Sequence, residues 1–408
     1  MRYLIFIVIV LSSGWLKNIY SIPIDLDEIA WIHDAQVFQW RSGNNWDQFI
    51  WNQTKHSMDW TSHDFRLFDQ PHFAKYIYGF ALSTARINPW NNQNRANNFQ
   101  LFIQQKATGR YFLSDESSSS IFGQATVRAI MLCRWISVVF SVSALLSLFL
   151  FFTYKFSLLM SSITVLLLTT NPTIFYNLHL ATSDSISLFL IVVSLILFYF
   201  LFFQDHLTEK RRFVLLFLSA LSTAFAVSTK INGWLLLYIF LIGSITLSYQ
   251  KQLTSWKNMI AQLCSWLFFF LGTYMYLQPE LWTSSVVGLI KFISQRLAQQ
   301  QQFVQSFGTL GFLEYHKWIV WLSIQSNIYW LTVCKVILLG LAFIKVIRGS
   351  KAHILSWRFF IQSAIIYLPI WMFFFYYARI GFDRYAIWPI IISIILSSWI
   401  VTHHHSHT

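Results

Sequence analysis

The feature that most constrains this chain is a series of long apolar segments separated by mostly short polar loops. A segment of about 20 apolar residues is long enough to cross the hydrocarbon core of a membrane. Because unpaired backbone groups are costly in lipid, each segment is predicted to be a helix. The candidate spans lie at 3–20, 130–153, 157–176, 185–203, 213–229, 233–249, 258–277, 325–345, 359–377 and 385–402. The sequence therefore predicts an all-α membrane protein of about ten transmembrane helices, in one domain over residues 1–408.

The composition supports a membrane protein. The chain is 56% hydrophobic and 11% charged, whereas soluble domains carry about 25% charged residues. The net charge of +13 does not predict a nucleic-acid partner, because the excess positive charge lies in short loops, where membrane topology accounts for it. All three cysteines fall in apolar segments, so we interpret them as packing residues rather than as disulfide partners or metal ligands.

The distribution of lysine and arginine predicts the orientation in the membrane. With the N-terminus in the cytoplasm, eleven basic residues fall in cytoplasmic segments and three in short loops on the other side, as the positive-inside rule requires. The eleven are Arg2, Lys155, Lys210, Arg211, Arg212, Lys251, Lys257, Lys345, Arg348, Lys351 and Arg358; the three are Lys230, Arg379 and Arg384. Both termini are then cytoplasmic.

Two long loops lie on the non-cytoplasmic side in this orientation. The first, 21–126, holds ten of the sixteen acidic residues and is expected to carry juxtamembrane helices. The second, 278–324, has apolar residues at helical spacing between 286 and 297, which is typical of an amphipathic helix on the membrane surface. Acidic and basic residues from distant parts of the chain are therefore expected to meet on this face.

Several short motifs are spread over the chain. They are Asp27-Glu28; Asp69-Gln70-Pro71-His72-Phe73-Ala74-Lys75-Tyr76-Ile77-Tyr78-Gly79; Arg134-Trp135-Ile136-Ser137; Asn171-Pro172 with Ala181-Thr182-Ser183-Asp184; and, as weaker ones, Ser228-Thr229-Lys230, Gln278-Pro279-Glu280-Leu281-Trp282 and Asp383-Arg384-Tyr385. In this order they resemble motifs of the GT-C class of membrane glycosyltransferases, which use sugars carried on polyprenyl phosphate. The protein O-mannosyltransferases and the bacterial aminoarabinose transferases are the groups that the chain most resembles. One departure is His72, which stands where these families have the second proline of a pair.

The resemblance implies a GT-C fold and a hexosyltransferase activity. A sugar, mannose-like in the resembling families, would leave a polyprenyl- or dolichyl-phosphate carrier by inverting displacement. The acceptor would be a protein, a lipid or a glycan on the non-cytoplasmic face. The membrane would be a bacterial or archaeal plasma membrane or that of the endoplasmic reticulum, and its lipids are the remaining partner.

The reaction also implies roles for particular residues. A base must take the proton of the acceptor, and positive groups must stabilise the departing phosphate. The expected catalytic residues are Asp27, Glu28 and Asp184, with Asp27 as the base. The expected phosphate-binding residues are Lys75, Arg134, Lys230 and Arg384. The expected substrate-positioning residues are Asp69, His72 and Glu280.

Each of these residues also has a simpler interpretation. Asp27 and Asp184 have the side chain typical of helix N-caps. Arg134 lies near a membrane boundary, where its long side chain can snorkel to the interface, and Lys75 fits a solvated helix face. Lys335, in the eighth predicted span, has no role in the hypothesis and is explained most simply by a misplaced span boundary.

No cofactor and no structural metal are expected. The histidines of the first long loop lack the spacing of a zinc site. The spacing of Asp25 and Asp27 matches GT-C relatives that use a divalent metal, so a metal-assisted reaction stays open beside a metal-free one.

Two other classes of function compete with the transferase. A polytopic transporter or flippase of lipid-linked substrates also has many spans, but it predicts inverted repeats and broken helices at the midplane, and the sequence has no repeat. A non-catalytic membrane subunit would not need acids and bases that converge on one face.

Overall fold

The computed structural model of the chain describes residues 19–50, 71–90, 111–204, 207–250, 256–287, 311–325 and 387–402, together with residues 290, 294, 332–333 and 335–337. The helices of this part, in chain order, are α1 (Leu26–Asp34), α2 (Val37–Ser42), α3 (Phe73–Thr84), α4 (Glu116–Phe122), α5 (Gln124–Lys155), α6 (Leu158–Thr169), α7 (Pro172–His179), α8 (Ser183–Phe203), α9 (Glu209–Val227), α10 (Leu235–Gln250), α11 (Trp256–Leu277), α12 (Glu280–Thr283), α13 (Phe312–Ile324) and α14 (Ile387–Thr402). Short 3-10 helices cover Trp46–Phe49 and Ile231–Trp234. Throughout these residues the regular structure is helical, and one isolated bridge joins Pro23 to Phe112.

The prediction of an all-α membrane protein is confirmed at this coarse level. Three helices are long and apolar enough to cross a membrane: Gln124–Lys155, Ser183–Phe202 and Ile260–Leu277. They coincide with the predicted spans at 130–153, 185–203 and 258–277. The spans predicted at 213–229, 233–249 and 385–402 fall on α9, α10 and α14. The spans predicted at 3–20, 325–345 and 359–377 lie wholly or largely outside the described residues.

The span predicted at 157–176 is broken. It forms α6 and α7, which are bent by 70° relative to each other. At the break, the Oδ1 atom of Asn171 accepts a hydrogen bond of 3.1 Å from the backbone of Ile174, and Pro172 occupies the first position of α7. An asparagine cap followed by proline is a strong helix start, since proline has no N–H group to satisfy. The hydropathy of the segment does not reveal this bend.

The chain divides into two compact units, 1–144 with 178–300 and 145–177 with 301–408. In the first unit, α8 packs on α9 and α9 packs on α11. Trp266 is buried there in a stack of aromatic rings, 4.0 Å from the centroid of Phe240 and 5.3 Å from that of Phe270. Its indole N–H is satisfied by a hydrogen bond to Ser219. In the second unit, α14 packs on α6 and α13.

The two long predicted loops contain helices in their described parts. Helices α1 to α4 lie within 21–126, and α12 and α13 lie within 278–324. Of the expected amphipathic helix, Val286, Val287 and Ile290 are described and exposed, and most of the remainder lies outside the described residues.

Candidate functional site

The centre of the candidate site is a buried ion pair between Glu28 and Arg134. The Nε atom of Arg134 donates to Oε1 of Glu28 over 2.7 Å, and its Nη2 atom donates to Oε2 over 2.6 Å. Both side chains are fully buried. Paired N–H groups on a carboxylate form the strongest kind of side-chain hydrogen bonding, so α1 is fixed to α5 at this point.

Arg134 uses all five of its N–H groups inside the protein. Besides the two bonds to Glu28, it donates to the backbone oxygens of Ile19, Ile22 and Pro23 over 2.7 to 2.8 Å. An arginine has five such donors, so none is left for a phosphate. The expected phosphate contact of Arg134 would therefore require one of these five hydrogen bonds to break. Snorkelling to the interface is excluded, since the side chain points into the protein.

Glu28 is equally saturated. Its Oε1 atom also accepts from the backbone N–H of Ala181 over 2.8 Å, and its Oε2 atom accepts from the backbone N–H of Asp25 over 3.0 Å. A buried carboxylate that accepts four hydrogen bonds has no free position for the proton of a substrate. Of the two neighbouring acids, the geometry thus leaves Asp27 as the candidate base.

The start of α1 explains how Asp27 is held. Asp25 is the N-cap residue, and its Oδ1 atom accepts from the backbone of Asp27 over 2.9 Å. Glu28 completes a capping box by accepting from the backbone of Asp25. The N-cap role considered for Asp27 is therefore taken by Asp25. Asp27 is half-buried in the first turn of α1, where a negative charge is favoured by the helix dipole.

A second ion pair joins Asp184 to Lys230. Asp184 lies in the first turn of α8 and accepts a hydrogen bond from Thr182, which is the N-cap residue. The Nζ atom of Lys230 donates to Oδ1 of Asp184. Both side chains keep about a tenth of their exposure, so this pair is more accessible than that of Glu28. The N-cap role considered for Asp184 is not observed.

Helix α3 carries the third ion pair. Lys75 lies 3.7 Å from a carboxylate oxygen of Asp34 and 5.5 Å from the ring centroid of Trp31. It is fully buried, so the interpretation as a solvated helix face is wrong. Asp34 was absent from the predicted site. It is the last residue of α1 and belongs to none of the motifs, so the sequence did not indicate its contact with Lys75.

Three further contacts attach α3 to the same region. The backbone N–H of Phe73 donates to the carbonyl of Ser228 over 2.7 Å. The buried hydroxyl of Tyr78 donates to the carbonyl of Thr182 over 2.6 Å and lies 2.8 Å from Oγ of Ser137. Burial raises the pKa of Tyr78 well above its ordinary value, so the hydroxyl keeps the proton that it donates.

His72 and Glu280 form the third contact between two predicted site residues, after Glu28–Arg134 and Asp184–Lys230. The Nε2 atom of His72 lies 3.1 Å from a carboxylate oxygen of Glu280. The contact joins the start of α3 to α12, so the two long loops meet here. The hydroxyl of Thr283 adds a hydrogen bond of 3.3 Å to the carbonyl of Phe49.

Two predicted site residues, Asp69 and Arg384, lie outside the described residues. Within the described part of the chain, no group of three or more His, Cys, Asp or Glu side chains is arranged to hold a metal ion. Asp25, one of the two acids in the spacing that suggested a metal, serves as the cap of α1.

Comparison with known proteins assigns the chain to no family. Neither a protein-family model nor a curated protein matches the chain. The resemblance to GT-C transferases therefore remains a hypothesis, and its support comes from the motifs and from the contacts between them.

Lys335 receives an explanation that the sequence did not give. Its side chain is buried, and its Nζ atom donates over 2.6 Å to the carbonyl of Gln325, which follows the last residue of α13. The amide of Asn171 donates to the carbonyls of Gln325 and Leu322. Both side chains satisfy carbonyl groups that have no partner inside the helix at its C-terminal end.

Proposed function

We propose that this protein is a membrane glycosyltransferase that moves a sugar from a polyprenyl- or dolichyl-phosphate carrier to a protein, lipid or glycan acceptor. One observation carries the proposal. Six stretches chosen for their resemblance to GT-C transferases, which are spread over more than 250 residues of sequence, are joined pairwise by direct contacts. The pairs are Glu28 with Arg134, Glu28 with Ala181, Tyr78 with Thr182, Phe73 with Ser228, Asp184 with Lys230 and His72 with Glu280.

The proposed reaction is an inverting displacement. The hydroxyl oxygen of the acceptor attacks the anomeric carbon of the sugar, and the bond from that carbon to the phosphate oxygen breaks. The lipid phosphate leaves with the electron pair, and Asp27 takes the proton of the hydroxyl. Glu28 and Arg134 orient Asp27 by fixing the first turn of α1 to α5.

Lys230 and Asp184 are proposed to act near the leaving phosphate. Their pair is more exposed than that of Glu28 and Arg134, so an incoming phosphate group has access to Lys230. A lysine is a compact charge with rotatable donors, which suits an exchange of the Asp184 carboxylate for a phosphate oxygen. Lys75, fully buried against Asp34, is proposed to hold the end of α1 in position.

The test is the activity of Asp27→Asn in the purified full chain, with polyprenyl-phosphate mannose as donor and release of polyprenyl phosphate as the measurement. The amide keeps the shape of the carboxylate but accepts no proton, so turnover should fall about a hundredfold or more. The matched control is Asp47→Asn, since Asp47 is an exposed acid of the same loop; its turnover should equal that of the wild type. Wild-type activity in Asp27→Asn would rule out this base.

A transporter or flippase of lipid-linked substrates is the second candidate, favoured by the broken helix pair α6–α7. Discontinuous helices often form substrate sites in secondary transporters, and the bend here is 70°. Proteoliposomes that hold the purified chain and a labelled polyprenyl-phosphate sugar decide between the two. A transferase releases polyprenyl phosphate when an acceptor is added, whereas a flippase moves intact donor between the leaflets and consumes none.

A further inference from the structure

Arg41 is a positive side chain without a carboxylate partner beside the His72–Glu280 contact. It lies in α2, and its guanidinium carbon is 4.8 Å from the ring centroid of Tyr76 in α3 and 4.3 Å from that of Tyr276 in α11. Guanidinium groups are attracted to the faces of aromatic rings. The two tyrosines thus hold the planar group of Arg41 in place without neutralising its charge.

The hydrogen-bonding capacity of Arg41 is unused in part. Its Nη1 atom is buried and has no hydrogen-bond partner among the residues that the structure describes. Over the same residues, no carboxylate lies within 4.0 Å of the guanidinium; the nearby Glu280 contacts His72 instead. Leaving a buried charged donor without a partner is costly. A bound anion would supply the missing hydrogen-bond acceptor and a negative charge.

Arg41 differs in this respect from the other cations of the candidate site. Lys75 faces Asp34, Lys230 is bound to Asp184, and Arg134 has all five N–H groups engaged. Among these four described cations, Arg41 alone has no acid beside it. The arginine fork matches the oxygens of a phosphate group, to which it donates paired hydrogen bonds.

The two sides of the Arg41 guanidinium differ in exposure. Arg41 is half-buried and Tyr276 is 68% exposed, so the Tyr276 side is the one from which an anion would approach. The other side is closed by Tyr76, whose pKa is raised by burial and lowered in turn by the Arg41 charge. Removal of water strengthens the attraction between a cation and a phosphate oxygen.

We propose that Arg41 binds a phosphate-ester oxygen anion, that of the lipid carrier. This assignment rests on the proposed transferase function, and it moves the anchoring of the phosphate from Arg134 to Arg41. The site joins the first long loop, which contains α2 and α3, to Tyr276 in the last turn of α11. Binding of the phosphate would therefore fix the first loop to the end of α11 beside the donor.

The experiment measures equilibrium binding of three probes to the full chain in nanodiscs: a short polyprenyl phosphate, the polyprenol of the same length, and inorganic phosphate. The wild type should bind the polyprenyl phosphate more tightly than the polyprenol. Arg41→Gln should weaken binding of the polyprenyl phosphate by about tenfold or more, the scale of losing charge-assisted hydrogen bonds, and should leave the polyprenol unaffected. Arg128→Gln is the control, because it removes an exposed arginine of α5 and the same charge.

Arg41→Lys is the second variant, and it decides the outcome if Arg41→Gln does not fold. Lysine keeps the charge but lacks the paired N–H groups, so binding should be weakened several-fold relative to the wild type. The role of Arg41 would be overturned if both variants bound polyprenyl phosphate with wild-type affinity. If only Arg41→Lys folds, wild-type affinity in that variant would be enough. The transferase proposal would stand in either case.

The remaining outcomes separate the sources of the phosphate. Binding of inorganic phosphate that depends on Arg41, without binding of polyprenyl phosphate, would support the anion site and contradict the lipid-linked donor. Binding of neither phosphate by the wild-type chain would overturn both proposals.

Discussion

Glu28 and Arg134 form a pair in which every hydrogen-bonding position is occupied. Four donors meet the Glu28 carboxylate, and five acceptors meet the Arg134 guanidinium. A buried charge pair gains enough to offset its desolvation only when such additional bonds are present. The pair therefore belongs to the framework of the site, and its removal should affect folding more than chemistry.

Glu28→Gln should lower the free energy of unfolding by about 3–5 kcal/mol, because it leaves the Arg134 charge buried without a counter-charge. Reversible unfolding of the purified chain in mixed detergent micelles measures the change. Glu209→Gln is the control, since Glu209 is exposed in the first turn of α9, and its free energy of unfolding should change by less than about 1 kcal/mol.

A double variant isolates the interaction itself. Because Glu28→Gln already breaks the pair, adding Arg134→Met should cost less than it does in the wild-type chain. Strictly additive effects of the two substitutions would show that the pair contributes no coupling, and the framework role would then be wrong.

The sequence predicted that residues of these motifs gather on one face, but not which side chains form pairs. The adjacent acids Asp27 and Glu28 were both candidates for the base, because a pattern of residue types carries no information about which one faces the interior. The carbonyls of Ile19, Ile22 and Pro23 that saturate Arg134 are backbone atoms, which no motif records. Arg41 was missed because its partners, Tyr76 and Tyr276, lie far from it in sequence.

At the scale of elements, the close contact of α3 with the α1–α2 corner depends on Gly79. A Cβ atom at this position would overlap the carbonyl oxygen of Ala35 and the Cβ atom of Phe38. The oxygen belongs to the backbone, which cannot move aside as a flexible side chain can. Gly79 thus allows α3 to bring both Lys75 and His72 to their partners.

Gly79→Ala should destabilise the fold by about 1–3 kcal/mol, the cost typical of overpacking. The gain in helix propensity, roughly 1 kcal/mol at most, offsets only part of it. Ser83→Ala is the control, because Ser83 is exposed on the same helix and the change raises propensity without overlap. The midpoint of thermal unfolding should therefore fall for Gly79→Ala and should rise or stay unchanged for Ser83→Ala. A raised midpoint for Gly79→Ala would contradict the close approach of α3 to Ala35 and Phe38.

The break between α6 and α7 shows where the apolar pattern fails at this scale. Hydropathy over 157–176 is continuous, so the sequence predicted one span, whereas Asn171 and Pro172 start a new helix at a bend of 70°. The dipeptide also belongs to the motifs that resemble GT-C transferases. Its physical meaning, a cap followed by a residue without an N–H group, was available from the sequence and outweighs hydropathy here.

At the scale of the whole molecule, composition and segment length predicted the all-α membrane character. Apolar segments of about 20 residues are long enough to cross the hydrocarbon core, and in lipid they must be helical. The gathering of distant motifs was predicted from topology alone, by placing both long loops on one side. The contacts between these motifs lie within the first unit, 1–144 with 178–300. The number of spans, and the side of the membrane on which each loop lies, remain predictions.

The topology is tested by thiol labelling in a chain whose three native cysteines are replaced by serine. Single cysteines are introduced at Ser117, in the first long loop, and at Ser350, between the predicted eighth and ninth spans. The excess of basic residues around Ser350 predicts a cytoplasmic position. In sealed membranes with the non-cytoplasmic face outward, a membrane-impermeant thiol reagent should label Ser117→Cys and should reach Ser350→Cys only after the membranes are opened. The cysteine-free chain controls for background. Labelling of both positions from the non-cytoplasmic side would place the two loops on one side of the membrane and contradict the ten-span topology. Labelling of Ser117→Cys only after opening would place Asp27 in the cytoplasm, the wrong compartment for the proposed donor and acceptor.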